Sequence, residues 1–469
     1  MNFIQYEFLI FFVLVLSLYW FLKKREWQNI LLVICSAIFY GWVHPWFLIL
    51  LYASAVLDFN MGKLMLSRPE KKKIFLWISM LGNIGMLGYF KYCNFFIDNF
   101  NAIFTWMGVG PSISNLDIFL PVGISFYTFQ TMSYTIDIYQ GKLEPRNHFI
   151  NYLTFISFFP QLVAGPVERA ANLLPQMEKE RVLSWENMRS GFQLALWGAF
   201  KKVWVADAIS LYVDRIFQLE SPSSAMIWAA TLGFTIQILA DFSGYTDIAR
   251  GTARMMGFEL ILNFDHPYLS RNPSEFWRRW HISFSTWIRD YLYIPLGGSR
   301  GGEATRLKAS YGAMLISGLW HGASWSFVLW GAYHATLLAI YKFFGRKIPR
   351  EFRKAKAVQP FSIGLMFVLT VIGWMIFRET SISRIWHYIT LSPLEGTPEQ
   401  WLVASLMLGA SLFVSIPLVV ALVVEKYIAP KLAEKPFFLP LQTTSWAFLI
   451  LGIILMKRDV SMDFIYFQF

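Results

Sequence analysis

YGAMLISGLWHGASWSFVLWGAYHATLLAI, residues 311–340, contains no Lys, Arg, Asp or Glu. An apolar run of this length is enough to cross the hydrocarbon core of a bilayer as a helix. The run nevertheless carries His321 near its middle and His334 near its end. A titratable side chain at membrane depth is costly and is usually retained for function. The stretch therefore predicts a membrane-spanning helix, with His321 as the first residue to consider for chemistry.

The rest of the chain has the same apolar character. Of its 469 residues, 56% are hydrophobic and only 15% are charged, whereas ordinary globular chains are about one-quarter charged. Apolar runs recur along the whole length, so the composition predicts an all-α, polytopic integral membrane protein with about eleven transmembrane helices. We expect additional re-entrant and amphipathic interfacial helices, and a single membrane-embedded domain over residues 1–469.

The chain is basic, with a net charge of +11, and its basic residues fall in short clusters between apolar runs. This arrangement is typical of cytoplasmic loops that face anionic lipid, and it argues against a nucleic-acid partner. The first cluster, at 23–25, directly follows the first apolar run, which places the N-terminus outside. Cys35 and Cys93 belong to no metal-binding spacing, so we expect neither a zinc site nor a disulfide framework.

Residues 263–308 form a basic segment with no membrane-crossing run. The sequence NPSE at 272–275 has the form of a helix start, with an Asn cap, Pro at the first position and a Glu that completes a capping box. Aromatic and apolar side chains then recur at helical spacing: Trp277, His281, Phe284 and Ile288. This pattern predicts an amphipathic helix at the cytoplasmic interface with His281 on its aromatic face. A membrane-surface anchor with an incidental histidine explains the pattern equally well.

Two features of the 311–340 run bear on its histidines. Gly318 and Gly322 form a GxxxG pair around His321, which predicts the close approach of a neighbouring helix. On a continuous helix, His334 would lie about 220° around and roughly 20 Å along the axis from His321, so the two could not share one site. We therefore interpret His334 as a core or interface residue. A hydrogen-bonded core histidine at a packing seam is the structural alternative for His321.

Two further segments combine apolar runs with polar or helix-breaking residues. Gln237, Asp241 and Asp247 lie where the run 227–240 meets DFSGYTD, and Asp241 can line a polar funnel, pair with a cation or end a helix. The segment 151–170 contains two prolines and a glycine, which predict a re-entrant or kinked backbone buried in protein. No nucleophile elbow accompanies either histidine, so general-base catalysis on an incoming hydroxyl is favoured over a covalent mechanism.

At these residues the chain resembles the membrane-bound O-acyltransferase family, and within it the bacterial alginate and peptidoglycan O-acetyltransferases. The segments that carry the resemblance are 120–139, 158–169, 241–251, 276–300 and 317–334. The resemblance implies a ring of spans around a thinned centre. A cytoplasmic funnel is expected to admit an acyl thioester, and the acceptor is expected to arrive from the other face of the membrane.

The resemblance also implies roles for particular residues. His321 matches the family's intramembrane histidine and is expected to act as general base on an acceptor hydroxyl. His281 matches the second active-site position and is expected to orient the acceptor or the donor carbonyl. Further residues are expected to contact substrate: Asp241, Gln237, Trp280, Trp320 and Arg289. The basic cytoplasmic surface is expected to attract the phosphates of acetyl-CoA, or an acyl carrier thioester serves as the donor instead; no cofactor is expected to stay bound.

The implied setting is the bacterial inner membrane. There the acetyl group is expected to pass to a periplasmic or membrane-anchored acetyltransferase partner, and then to an exopolysaccharide such as alginate or to peptidoglycan. Two alternatives stay open, the first from the residues and the second within the family that the chain resembles. One is a transporter or flippase for an acetylated or lipid-linked saccharide, which intramembrane Asp241 and His321 would also suit. The other is D-alanyl transfer from a carrier-protein thioester to teichoic acid.

Overall fold

In the structure, a computed structural model, the regular elements of the described part of the chain are all helices, and that part contains no strand. The described residues are 1–111, 113–345, 347, 349, 351, 355–392, 395–428, 438–458 and 464–465. This confirms the predicted all-α class. Internal packing divides the chain into two compact units. Unit 1 comprises Met1–Arg189, Thr252–Ile261 and Trp320–Ser324, and unit 2 comprises Ser190–Gly251, Leu262–Leu319 and Trp325–Phe469. The single domain over 1–469 stays a prediction.

The first four apolar runs of the sequence, 6–22, 27–42, 46–66 and 74–90, predict four helices. Unit 1 begins with these helices, and their ends lie within a few residues of the predicted ones. Its α-helices are Tyr6–Phe21, Arg25–Gly41, Phe47–Ser67, Lys72–Leu87, Cys93–Trp106, Ile124–Tyr139, Phe149–Ser157, Phe159–Leu162 and Ala170–Glu178. A 3₁₀ turn, Pro69–Lys71, precedes the fourth of these helices, and a π-helical turn, Gly88–Tyr92, joins the fourth to the fifth.

A buried polar cluster joins the third, fourth and sixth helices of unit 1. Ser79 Oγ donates to Asp58 Oδ1 at 2.6 Å, and Asn83 Nδ2 donates to Asp58 Oδ2 at 2.8 Å. Ser54 Oγ donates to Asn83 Oδ1 at 2.6 Å, and the hydroxyls of Ser79 and Thr135 are 2.9 Å apart. Buried polar groups cost free energy unless they are hydrogen-bonded, so these partners fix how the three apolar helices face one another.

The interruption predicted within 151–170 is present. The chain leaves the helix after Ser157, makes the short turn Phe159–Leu162, and runs without regular structure until Ala170. Almost every side chain between 158 and 167 is buried. Ser36 Oγ accepts a hydrogen bond from the Phe159 N–H at 3.1 Å. Irregular backbone at membrane depth is tolerated when it is buried in protein, and this segment meets that condition.

Unit 2 holds, wholly or in large part, the remaining helices. These are Trp185–Phe200, Asp207–Gln218, Ser224–Met255, Pro273–Arg279, Ile282–Ile288, Gly302–His321, Trp325–Gly345, Val358–Arg378, Ile382–Thr390, Pro398–Val423 and Phe438–Met456. A 3₁₀ turn, Pro267–Leu269, precedes the fourth of them. Three π-helical turns continue α-helices: Lys201–Ala206, Arg289–Tyr293 and Val424–Ile428.

Among the described residues, 6 helices are long and apolar enough to cross a membrane. They are Phe47–Ser67, Pro69–Trp106, Ser224–Met255, Trp325–Gly345, Val358–Arg378 and Pro398–Tyr427, and two shorter apolar helices are Tyr6–Phe21 and Gln442–Met456. These helices agree with the predicted polytopic class. Their number is smaller than the predicted crossings because several apolar runs form short or interrupted helices.

The prediction of one continuous helix through 311–340 is wrong. One helix ends at His321, and a second begins at Trp325. A Cβ on Gly318 would lie 2.0 Å from the Phe327 carbonyl oxygen, and one on Gly331 would lie 2.3 Å from that of Met314. The two helices therefore pack antiparallel at very short range. Gly318 does permit a close helix approach, as predicted, but its counterpart is Gly331 on the next helix.

Candidate functional site

His321 is the last residue of its helix, in unit 1, and its side chain is almost completely buried. The preceding residue, Trp320, packs against Phe126 and Phe129, each at a ring-centroid distance of 5.5 Å. The Trp320 ring meets the His321 ring edge-on at 4.8 Å. An aromatic wall therefore holds the end of the helix at the residue that we predicted as the base.

Lys91 is the second element of this arrangement, and the sequence reading missed it. It lies in the π-helical turn Gly88–Tyr92, and its Nζ donates hydrogen bonds to the carbonyl oxygens of Trp320 and, at 3.2 Å, His321. The last carbonyls of a helix have no partner within it, and a cation at that end is stabilising. The available signal was a lone lysine in an otherwise apolar run.

His281 lies in unit 2 at a break in the helix that we predicted to be continuous. One helix, Pro273–Arg279, ends before it, and another, Ile282–Ile288, begins after it. Its φ is +44°, and His266 is the other described non-glycine residue with positive φ. This left-handed conformation is unfavourable for residues with a side chain, and such strain clusters at functional sites. The prediction of one continuous amphipathic helix is therefore wrong, because the helix is interrupted at His281.

The backbone after this break is anchored by Asn263. Its carbonyl oxygen accepts a hydrogen bond from the Ile282 N–H at 3.0 Å. Its side-chain oxygen accepts from the Ser283 N–H at 3.2 Å and from the Ser283 hydroxyl at 2.8 Å. These three bonds hold the first turn of the second helix and maintain the strained conformation at His281.

The His281 ring is fully buried among aromatic side chains. Phe242 meets it edge-on at 4.7 Å, and Phe284 stacks on it at 4.9 Å. Burial lowers the pKa of His281 to about 3, because the charged imidazolium loses its hydration. The ring is therefore neutral near pH 7, so it can form directional hydrogen bonds and carries no charge.

The helix start predicted at 272–275 is confirmed. The Asn272 side chain accepts a hydrogen bond from the Glu275 N–H at 2.9 Å. The second half of the capping box differs, because the Glu275 carboxylate accepts from the Arg271 N–H at 3.2 Å. Glu275 also forms ion pairs of 3.0 Å with both Arg271 and Arg279. Two arginines of the basic segment are thus paired with a carboxylate of the same segment.

Asp241 lies inside the Ser224–Met255 helix and does not end it. Its Oδ1 is 2.7 Å from Lys202 Nζ, which also lies 2.7 Å from Asp207 Oδ1. Its Oδ2 accepts a hydrogen bond from the Ile465 N–H at 2.8 Å. Of the three roles predicted for Asp241, the structure contains the ion pair. The contact of Asp241 with substrate stays a prediction.

The other polar members of that group lie on the same helix. Gln237, one turn before Asp241, is buried, and its Oε1 has no hydrogen-bond partner in the part of the chain that the structure describes. Asp247 forms an ion pair with Lys201 at 2.6 Å. Phe242, the neighbour of Asp241, contacts the His281 ring. The structure therefore brings this helix and His281 together in unit 2.

The remaining predicted residues fall into two environments. Trp280 is buried and packs on Phe264 at 4.9 Å and on Trp374 at 4.6 Å. Arg289 is exposed and forms an ion pair with the adjacent Asp290 at 2.6 Å. The substrate contacts expected of Trp280, Trp320 and Arg289 stay predictions.

His334 is a core residue, as interpreted from the sequence. It is buried in unit 2 in an aromatic cluster, with Trp330 at 4.7 Å, Trp277 at 5.1 Å and Phe276 at 6.1 Å between ring centroids. His334 and His321 lie on different helices, so the separation expected for one continuous helix does not describe this pair.

Comparison with known proteins gives a consistent result. Residues 145–382, which include His281 and His321, match the membrane-bound O-acyltransferase family. Over 381 residues the chain is 39% identical to the probable alginate O-acetylase AlgI of Azotobacter vinelandii, covering 81% of this chain and 75% of that protein. It is 32% identical over 392 residues to the peptidoglycan O-acetyltransferase of Helicobacter pylori, covering 77% and 73%. It is 29% identical over 246 residues to the teichoic acid D-alanyltransferase of Bacillus subtilis, covering 49% and 60%.

Proposed function

The chain belongs to the membrane-bound O-acyltransferase family, and from this premise we propose that it passes an acetyl group from a cytosolic thioester donor through the membrane towards an exported polysaccharide. The predicted family, the enzyme class and the membrane location are confirmed by the match. Acetyl as the group, and an alginate-like polymer or peptidoglycan as the acceptor, are supported by the names of the relatives that align with most of the chain.

His321 is the general base in this proposal. Its imidazole takes the proton from an acceptor hydroxyl as the hydroxyl oxygen attacks the thioester carbonyl carbon. When the carbon–sulfur bond breaks, the proton passes to the departing sulfur, so the products are a free thiol and an O-acetyl ester. The observation that carries the assignment is the position of His321, at a helix end fixed by Lys91 and by the packing of Trp320.

His281 has an orienting role in this proposal. Its buried, neutral ring suits a directional hydrogen bond to the acceptor or to the donor carbonyl, and does not suit an electrostatic role. The strained backbone supports a functional assignment, because the residue keeps an unfavourable conformation at a position that is anchored by Asn263.

The donor, the partner and the orientation complete the proposal. Exposed basic side chains of the 263–308 segment, namely Arg278, Arg300 and Lys308, attract the phosphates of acetyl-CoA from the cytosol. A periplasmic or membrane-anchored acetyltransferase receives the group. The chain lies in the inner membrane with its N-terminus outside, in accordance with the positions of its basic clusters.

The test follows both products of the reaction. Membrane vesicles that contain the chain, its partner and the acceptor are supplied with acetyl-labelled acetyl-CoA, and release of CoA thiol and label in polysaccharide are measured. His321→Ala is expected to abolish both signals. Thiol release at the wild-type rate by His321→Ala would show that the base assignment is wrong. For His281, activity in His281→Asn together with its loss in His281→Ala supports orientation over proton transfer.

The same assay separates the alternatives. The similarity to the teichoic acid D-alanyltransferase supports D-alanyl transfer as the alternative, but that match covers only 49% of the chain. D-alanyl transfer predicts label from a D-alanyl carrier-protein thioester and none from acetyl-CoA. The transporter alternative is set aside, because the family match makes the chain an acyltransferase.

A further inference from the structure

Lys91 is a charged residue that takes no part in the chemical steps proposed above, although it contacts the helix end that carries His321. It lies within the candidate span Pro69–Trp106, and it is the one charged residue between Lys73 and Asp98. No carboxylate of the described part of the chain forms an ion pair with it, and its hydrogen bonds go to carbonyl oxygens. An intramembrane ammonium is costly, so its retention indicates a function.

The local backbone places this ammonium at a helix end. Residues Gly88–Tyr92 form a π-helical turn between two α-helices, and such turns frequently occur at functional sites. From this turn Lys91 Nζ reaches the main-chain oxygens of both Trp320 and His321. It also lies 5.8 Å from the centre of the Trp320 ring, a distance suited to a cation–π contact.

We infer that Lys91 is a positioning residue for His321. The ammonium satisfies the terminal carbonyls of the Gly302–His321 helix and complements the negative end of the helix dipole. It thereby fixes the main chain of His321 at the end of the helix. The position of the main chain in turn determines where the imidazole lies. This inference rests on the proposed role of His321 as base.

The inference predicts a kinetic effect on the chemical step. Without Lys91 the last carbonyls lose their partner, and the turn at 322–324 is less constrained. Displacing a catalytic group by about 1 Å can reduce the rate roughly 100-fold. Lys91 touches no reacting atom in this account, so donor binding is expected to change little.

The experiment compares Lys91→Met, Lys91→Gln and Lys91→Arg in the vesicle assay, with kcat and KM determined for acetyl-CoA. Size-exclusion profiles and thermal midpoints in detergent confirm folding. We expect kcat to fall roughly 100-fold in Lys91→Met, with KM changed by less than about twofold. Lys91→Gln, which donates a hydrogen bond without a charge, is expected to be intermediate, and Lys91→Arg is expected to restore most activity.

Lys63→Met is the matched control. Lys63 also lies in a candidate span and its Nζ donates to a carbonyl, that of Asn147 at 3.4 Å, but it touches no predicted site residue. The activity of Lys63→Met is expected to equal that of the wild type.

Three outcomes would overturn the inference. The first is a wild-type kcat in a folded Lys91→Met. The second is a raised KM with an unchanged kcat in the same variant. The third applies if Lys91→Met does not fold, and it is a kcat in Lys91→Arg no higher than that in Lys91→Gln. His321→Ala is assayed in parallel. If the His321→Ala variant is inactive and the Lys91→Met variant is fully active, only the positioning role of Lys91 is contradicted. If the His321→Ala variant is active, the assignment of His321 as base is contradicted.

Discussion

The Lys202 ammonium lies 2.7 Å from Oδ1 of Asp241, and both side chains are only 2% exposed. The same ammonium contacts Asp207, so one cation is shared by two carboxylates in the interior of unit 2. Breaking a buried pair by removing one partner is strongly destabilising, because the other charge stays buried without compensation.

Replacement of Lys202 by Met is therefore expected to lower the free energy of unfolding by about 3–5 kcal/mol. Adding Asp241→Asn to Lys202→Met is expected to recover part of that loss, because it removes an uncompensated carboxylate. The measurement is a double-mutant cycle of thermal or denaturant unfolding in detergent. Strictly additive losses would show that the two side chains are not energetically coupled.

Gly318→Ala is expected to destabilise the chain. The new methyl group would lie 2.0 Å from the Phe327 carbonyl oxygen, so the two packed helices must move apart. Gly364→Ala is the matched control, because this helical glycine has nothing within 4 Å of the added carbon. Thermal midpoints in detergent are the measurement. Equal thermal midpoints of the two variants would mean that the helix packing at Gly318 tolerates a side chain.

Acidification is expected to destabilise the fold through His281. Its pKa in the folded chain is about 3, against an ordinary value of 6.5, so between these limits the unfolded chain binds a proton that the folded chain does not. The contribution of His281 to stability is therefore complete above pH 6.5 and falls by roughly 1.4 kcal/mol per pH unit below it.

The measurement compares the wild type with His281→Gln, which cannot titrate. Between about pH 7 and about pH 5 the thermal midpoint of the wild type is expected to fall further than that of His281→Gln. Equal decreases in the two midpoints would mean that His281 does not contribute to the pH dependence.

Much of the fold could be predicted from the sequence, because the dominant signal is local. Long apolar runs predict helices, the NPSE sequence predicts a cap, and the prolines after Phe158 predict a break. Each of these depends on residues that are close together in the chain. The helix bounds in unit 1 and the cap at Asn272 follow from such signals.

The features that were missed depend on distant residues. The break after His321 lies inside an uncharged run, so its composition is the same as that of a continuous span. Lys91 and His321 are 230 positions apart, and no local pattern indicates that they are hydrogen-bonded. The left-handed conformation of His281 is followed by hydrogen bonds to Asn263, which lies before the predicted helix start. The sequence pattern indicates both histidines but predicts a continuous helix around each.

If His321 is the base of this membrane-bound acyltransferase, loss of its imidazole must stop the transfer of the acetyl group. The most direct measurement is transfer of labelled acetyl from acetyl-CoA to polysaccharide, with CoA thiol release followed in the same vesicles, for the wild type and His321→Ala. We expect stoichiometric label and thiol for the wild type, and neither for a folded His321→Ala. Label and thiol at wild-type rates in His321→Ala would show that His321 is not the base.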